Sequence, residues 1–281
     1  MVEWVGAEVD TVAVGDAVLA DGLSTGPRSL GGYQRWGGFA SWAVAPASAL
    51  LPLPEGWSFD QGCNLLGNYE TAYHCLVTCG DLRAGETVLI HGATGSTGLA
   101  AVHIAKLVGA TVIATGRSPD KLARVTAQGA DHVLTTKGGL RDRVKALTGG
   151  RGVDVVYDGV GGPLTVESLR CCSFGARVLI VGWAATPDVA KGKGGRGAPN
   201  VNVLPTNLVL MKGLRVIGTP TAIATHRDPS IRAPRLAALQ QWIATGKLAP
   251  VVGEAFPLAQ IEAAMRAKWA SQAVGGIVVH P

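Results

Sequence analysis

The stretch Thr87–Gly98, reading TVLIHGATGSTG, holds the residues whose types and spacing point most directly to chemistry. An apolar run of strand length (Val88, Leu89, Ile90) leads into a turn with glycines at 92, 95 and 98, and an amphipathic helical pattern, LAAVHIAKLVGA, follows. Glycines so placed let the backbone turn tightly and approach a pyrophosphate. The helix that opens behind them aims its free N–H groups and positive dipole end at the anion. In register with the dinucleotide fingerprint the triplet is A-x-G-x-x-G, with Ala93 in place of the first glycine. Gly92, Thr94, Gly95, Ser96, Thr97 and Gly98 thus form the candidate phosphate turn.

A second constellation lies at the end of the next strand, where NAD-preferring proteins carry a carboxylate for the ribose 2′-hydroxyl. The stretch here is ATGRSPDKL, with no acid before Asp120, and Asp120 beside Pro119 reads as a helix-start residue. Gly116, Arg117, Ser118 and Lys121 would instead receive a 2′-phosphate: a planar bidentate cation, a hydroxyl and an ammonium suit that group. The expected cofactor is therefore NADP(H); the alternative is that Arg117 and Lys121 are ordinary surface cations. The missing acid also counts against a methyltransferase, which needs one for nucleoside hydroxyls.

The elements that must position these groups alternate from Thr87 to Thr219. Six strand-like runs (TVLIHG, TVIATG, DHVLTT, VDVVYDG, ARVLIVGW and LRVIGT) are separated by helical patterns over Ser96–Val108, from Pro119, over Leu140–Leu147, after Pro163 and in PTNLVLMKG. Near-continuous Val/Ile/Leu strands between amphipathic helices require a parallel sheet covered on both faces, an α/β, doubly wound (Rossmann) fold. The first sixty residues differ: short alternating segments broken by Gly and Pro predict antiparallel β structure. Beyond Ala222 two helical patterns (Pro234–Thr245 and Leu258–Ala270) and a last strand, GGIVVHP, are expected. The segment Ala185–Val203, basic and glycine-rich, is either a lid over a site or a solvated loop.

Composition bounds the partners. With 281 residues, 47% hydrophobic and 16% charged, the chain can build a substantial core. A net charge of +5 is spread out, with no dense basic block interleaved with aromatics, so an anionic small molecule is expected rather than nucleic acid. Five cysteines, an odd count with no signal peptide, suit reduced thiols in a cytoplasmic setting. No apolar run is long enough to span a bilayer.

NYETAYH (68–74), AGETVLIHGATGSTGLAAVHIAKLVGATVIATGRSPDKL (84–122), GADHVL (129–134), GGRGVDVVYDGVGG (149–162) and MKGLRVIGT (211–219) together resemble the medium-chain dehydrogenase/reductases, in their zinc-independent, quinone-oxidoreductase-like branch. The resemblance implies three parts: a partial, mainly antiparallel β (GroES-like) substrate domain over 1–68, the NADP-binding domain over 69–220, and a return to the substrate domain over 221–281. It places the amides of Ser96 and Thr97 on the pyrophosphate and Arg117, Ser118 and Lys121 round the 2′-phosphate. Thr71 falls near the nicotinamide, with Val160 and Gly161 lining the groove. Gly182, Trp183, Gly218 and Thr219 approach the nicotinamide side, and Asp158 forms a turn. It also implies a homodimer joined through the last strands of the cofactor domain, where LRVIGTPTAI offers an apolar edge.

Three departures accompany the resemblance. The chain opens at VEWVGAEVDTVAVGDAVL, which in the family lies inside the substrate domain, so the opening strands of that domain are expected to be missing. Thr136 and Lys137 stand where relatives often carry a Tyr on the adenine. Gly275-Gly276 replaces a Gly-Lys pair. The last two predict weaker cofactor affinity.

Other chemistries fit less well. There is no His-Glu pair or CxxC for zinc; Cys75 and Cys79, four apart on a predicted helix, read as core, with His74 on another face, and Cys171 and Cys172 as small buried hydrophobes. None of Tyr33, Tyr69, Tyr73 and Tyr157 has a lysine four residues on, which excludes the short-chain reductase signature. A zinc-free reductase needs little side-chain chemistry, because the cofactor supplies hydride while the protein positions an electron-poor acceptor. Quinones and α,β-unsaturated carbonyls qualify. Asn68 and Tyr69 are candidate donors to the developing oxyanion, Asn68 alternatively capping the helix; Tyr33 and Trp36 either line the acceptor pocket or anchor their loop. The expected function is NADPH-dependent hydride transfer to such an acceptor, the alternative being an NADPH-binding protein with little turnover.

Overall fold

The computed structural model describes residues 1–25, 39–185 and 203–281. Tyr33, Trp36 and most of the 185–203 segment lie outside them. The chain forms two compact units, Met1–Asn68 with Ala237–Pro281, and Tyr69–Leu236.

In the first unit β1 (Val18–Ala20) pairs antiparallel with β2 (Leu50–Pro52). The expected alternation elsewhere in this region gives no further strand among the described residues, since glycines and prolines interrupt it and prolines cannot donate to a ladder.

The second unit holds β3 (Thr87–Ile90), β4 (Thr111–Gly116), β5 (His132–Thr135), β6 (Val153–Asp158), β7 (Cys172–Ile180) and β8 (Arg215–Gly218). They form one parallel sheet in the order β5-β4-β3-β6-β7-β8. Register puts Leu89 beside Ile113 and Val156, and Val156 beside Val178. This face packs against helices Leu140–Leu147, Pro163–Cys171 and Thr206–Met211 through Leu140, Val144, Leu169 and Leu208. The opposite face presents Ile90, Tyr157 and Leu179, and is covered by helix Ser96–Val108 and the turn that follows helix Leu66–Tyr73. Both faces are buried, which explains why the strands read as unbroken apolar runs.

That turn, His74–Cys79, is π-helical: Gly80 N–H donates to Cys75 O, five residues back, at 2.8 Å. The residue pattern predicts a continuous α-helix here. The wider turn instead brings His74 Nε2 to 3.3 Å from Cys79 Sγ, the i,i+5 pair, so the two residues expected on different faces meet.

The second unit runs to Leu236. An ion cluster ties its last helices back to the helix at 66–73. Glu70 takes both Arg232 (Nη2–Oε1 2.7 Å) and Arg235 (Nη2–Oε2 2.9 Å), all three side chains being buried or nearly so, and Thr225 on helix Thr221–Arg227 accepts from Arg235. Removing one partner of such a buried cluster leaves an uncompensated charge.

Beyond it, β9 (Val252–Pro257) pairs parallel with β10 (Gly276–His280) across helix Ile261–Trp269, within the first unit; β9 had no sequence signal beyond a short apolar run. At the start of β10 a Cβ on Gly276 would lie 1.4 Å from Asn64 Oδ1. Asn64 thus fills the place that a side chain at 276 would take.

His91 follows β3 and is buried, its Nδ1 2.7 Å from Thr115 Oγ1 and its Nε2 2.6 Å from Ser168 Oγ. Ser168 donates onward to Leu164 O, so its oxygen accepts from Nε2–H and Nδ1 accepts from Thr115. Burial pushes the imidazole down to about 4. Below its ordinary value near 6.5 the unfolded chain takes up a proton that the folded one refuses. The stability His91 confers is therefore complete above that value and is lost as pH falls toward 4, by up to about 3 kcal/mol. Urea titrations between pH 7 and 4.5 should show a shallower loss in His91→Asn than in the wild type; parallel slopes would refute the account.

Candidate functional site

Strand order reverses between β3 and β6, and the loops leaving the carboxyl ends of these strands form the crevice where such sheets bind ligands. On the β3 side the chain turns through Gly92 (φ +66°), where only glycine is unstrained. Gly95 is the N-cap of helix Ser96–Val108 and supplies no side-chain cap. The opening amides of a thirteen-residue helix thus face the crevice beside a glycine-lined turn. Gly98 has a different task. A Cβ there would sit 2.2 Å from Gly92 O and 2.9 Å from Ala93 Cα, so it lets the helix lie directly on the turn.

On the β6 side Asp158 organises the loop. Its Oδ1 accepts the N–H groups of Val160 (3.0 Å) and Gly161 (2.9 Å), and its Oδ2 accepts the Thr165 hydroxyl at 2.5 Å. Its carbonyl accepts from Val181 and Gly182, while Ala184 and Ala185 donate to Gly159 and Val160. Gly182 approaches so closely that an added Cβ would lie 3.2 Å from Gly159 O. Val160 in turn reaches over the glycine turn, its Cγ2 3.3 Å from where a Cβ of Gly92 would be. The structure therefore gathers the 92–98 turn, Val160, Gly161, Gly182 and the half-exposed Trp183 on one rim.

Gly116, Arg117 and Ser118 follow β4 beside that rim: Ala93 N–H donates to Thr115 O at 3.1 Å, and a Cβ on Gly116 would lie 3.3 Å from Thr94 Cγ2. Ser118 is the N-cap of helix Pro119–Ala127, accepting from Lys121 N at 3.5 Å. Arg117 is exposed and Lys121 half-buried, and no carboxylate intervenes before Asp120. Past β5, Arg143 Nη2 clamps the carbonyls of Thr135, Lys137 and Gly138 at 2.7, 2.8 and 3.0 Å, fixing the loop that carries Thr136.

A family model described as zinc-binding dehydrogenase matches residues 96–227. A quinone oxidoreductase-like protein 2 homolog of Nematostella vectensis is 30% identical over 274 residues, covering 96% of this chain and 71% of that protein. The chain belongs to the medium-chain dehydrogenase/reductases, in the quinone-oxidoreductase-like branch. Human quinone oxidoreductase is 30% identical over 250 residues, with 89% of this chain and 70% of the human protein aligned. Among solved structures, the quinone oxidoreductase of Thermus thermophilus, crystallised also with NADPH, superposes with a TM-score of 0.73 at 33% identity, over 87% of this chain and 74% of the other. A mycobacterial protein solved with NADPH superposes with a TM-score of 0.79 at 27% identity, over 99% and 80%.

The remaining positions that the resemblance marked in this medium-chain reductase lie on helix Leu66–Tyr73 and past β8. Asn68 lies inside the helix rather than at its cap, its Nδ2 donating to Asn64 O at 3.1 Å. Tyr69 is buried and its hydroxyl is 2.7 Å from His103 Nδ1, on helix Ser96–Val108; burial pushes the phenol well above its ordinary pKa. His103 Nε2 faces Gln128 Oε1 at 3.3 Å, which sets Nε2–H as donor and leaves Nδ1 to accept from Tyr69. Tyr69 therefore pins its helix to the cofactor-side helix, a role the sequence did not signal. Thr71 is half-buried on the same helix. Thr219 donates its hydroxyl to Ile180 O at 2.9 Å and accepts from the Cys75 thiol at 3.2 Å, which ties the ends of β7 and β8 beside Gly218. Cys75 and Thr219 are 144 residues apart, and no local pattern links them.

The two crevice glycines separate packing from binding. Gly98→Ala should cost about 2 kcal/mol of stability or more through overpacking. Gly95→Ala, whose Cβ would meet only Gly92 O at 3.4 Å, should unfold at nearly wild-type urea concentration. Equal losses in the two variants would contradict the close approach at Gly98.

Proposed function

We propose that this oxidoreductase uses NADPH to reduce quinones or α,β-unsaturated carbonyls without a zinc ion. The observation that carries the reading is the joint geometry of the glycine turn and the acid-free end of β4. A helix N-terminus and close backbone turn suit the pyrophosphate, and Arg117, Ser118 and Lys121 suit a 2′-phosphate. Relatives of known structure were solved with NADPH, which supports the same reading.

These residues fit the cofactor by shape as well as charge. Gly92 and Gly95 present bare backbone to the crevice, Gly98 seats the helix on their turn, and Val160, Gly161 and Gly182 line the opposite wall. When bound, NADPH supplies the hydride. The chain's own residues bind, orient and exclude water: Asp158 and Thr219 hold the rim loops, and Asn68 and Thr71 sit on the helix expected beside the nicotinamide. Tyr69, committed to His103, contributes position rather than a proton.

Among the described residues no group of three or more His, Cys, Asp or Glu side chains is arranged to hold a metal, and the sequence carries no His-Glu pair or CxxC.

β8 is the open edge of the six-stranded sheet, flanked by exposed Leu210, Met211 and Ile223, with Val216 36% exposed on the strand itself. Exposed apolar edges pair or aggregate, so a homodimer that continues the sheet through β8 is part of the proposal.

NADPH oxidation should depend on added 1,4-benzoquinone or an enone. Binding of NADPH with no acceptor-dependent oxidation would leave a binding protein and sink the enzyme reading. Arg117→Glu should raise the Kd for NADPH more than tenfold and leave NADH little changed; an equal loss for both would remove the phosphate role. Light scattering should find a dimer that Val216→Pro converts to monomer, and a monomeric wild type would refute the interface.

A further inference from the structure

A cavity of about 260 Å³ lies at the amino ends of the strands, the opposite end of the sheet from the crevice. Its walls come from the segment before β3, the start of β6, β7 and the start of β8, all within the second unit. β7 is bulged where it meets this cavity. β6 advances two residues, from Val153 to Val155, while its partner β7 advances five, from Cys172 to Arg177. The residues between, Ser173 to Ala176, stand against Asp154 alone, and all of them line the cavity. Gly175, at φ +76°, turns the bulge, and its N–H donates to Lys212 O at 2.8 Å. Phe174 is thrown outward and is 84% exposed. One face of its ring covers Gly213, with Cζ 3.3 Å from where a Cβ would lie, and the other is open. A lone exposed apolar residue is ordinary, but bulges that re-aim a side chain recur beside functional sites.

Each carboxylate of the cavity already has an arginine. Asp81 is bound by Arg83 at 2.5 Å, and Glu86 by the buried Arg177, which also donates to Asp81 O at 2.8 Å. Asp154 is bound by Arg151 (Nη2–Oδ2 3.0 Å) and by the Thr87 N–H at 2.8 Å. Arg215 differs. It is exposed, and its guanidinium makes no hydrogen bond or ion pair among the described residues. The one carboxylate whose charge it reaches, Asp81, is held by Arg83. Register sets Arg215 beside Arg177 on the neighbouring strand, and adjacent like charges repel. The cavity thus offers a guanidinium fork and an open aromatic face while its carboxylates are occupied, so it suits an anion and not a cation.

We propose that this cavity is a ligand site distinct from the crevice and that it takes a small aromatic carboxylate. The carboxylate accepts from the Arg215 fork in two parallel bonds, and the ring stacks on Phe174. A volume of about 260 Å³, just under the range for drug-sized ligands, admits one ring with a short substituent. An inorganic anion would satisfy Arg215 and leave the phenyl face unused. The crevice lies at the carboxyl ends of the same strands, so this site does not rest on the proposed reaction.

The test titrates 4-fluorobenzoate into the full chain without NADPH and follows the ligand by fluorine NMR. Binding should saturate with a Kd on the order of 1 mM. Arg215→Gln should weaken it about tenfold and Phe174→Ala about fivefold; both residues are exposed, so both variants keep the fold. Acetate at equal concentration should not displace the probe. Absence of saturable binding would overturn the proposal. Binding that keeps its full strength in either variant would put the ligand elsewhere, and displacement by acetate would take the ring out of the recognition; each overturns it equally.

Discussion

The carboxylate of Asp158 is the constraint on which the candidate site depends. It sits where the strand order reverses, and its two oxygens hold Val160, Gly161 and Thr165 while its carbonyl holds Val181 and Gly182. A buried carboxylate is tolerable only when such donors surround it. Here the donors are the backbone of the loops that wall the crevice, so desolvating one side chain also fixes two loops. Val160, held in this way, is what reaches across to the glycine turn.

Around that junction the unit is built from two kinds of contact. Apolar packing on both faces of the sheet supplies bulk stability, through Leu89, Val156 and Val178 on one face and Ile90, Tyr157 and Leu179 on the other. Polar pairs then select positions: Tyr69 with His103, Cys75 with Thr219, His91 with Thr115 and Ser168, Glu70 with its two arginines. Packing alone tolerates small slides of one helix over a sheet, whereas a hydrogen bond at 2.7 Å does not. The medium-chain reductase framework is thus apolar in its mass and polar in its registration.

The sheet was legible in the sequence because its signals are local. Apolar runs such as TVLI and TVIATG, the glycine turn and the Pro119 and Pro163 helix starts each state a conformation within a few residues. The absence of an acid before Asp120 was local as well. What stayed hidden was pairing across distance. Tyr69 read as a free donor because nothing nearby names His103. The π-turn after Tyr73 looks like any helical stretch, and the glycine that ends it gives no sign in sequence that a Cβ at 80 would lie 2.9 Å from Leu179 Cδ1. The ion cluster on Glu70 was hidden for the same reason: it joins residues 162 and 165 positions apart.

The contact between Asn64 and Gly276 has a consequence for how this branch can change. A side chain at 276 needs the space that the amide of Asn64 occupies, so it can enter only if that amide swings away or residue 64 shortens. The amide is held by its donation to Asp60 O at 3.0 Å, and the swing breaks that bond. The tolerance of the C-terminal strand to substitution is thus tied to a residue more than two hundred positions earlier in the chain.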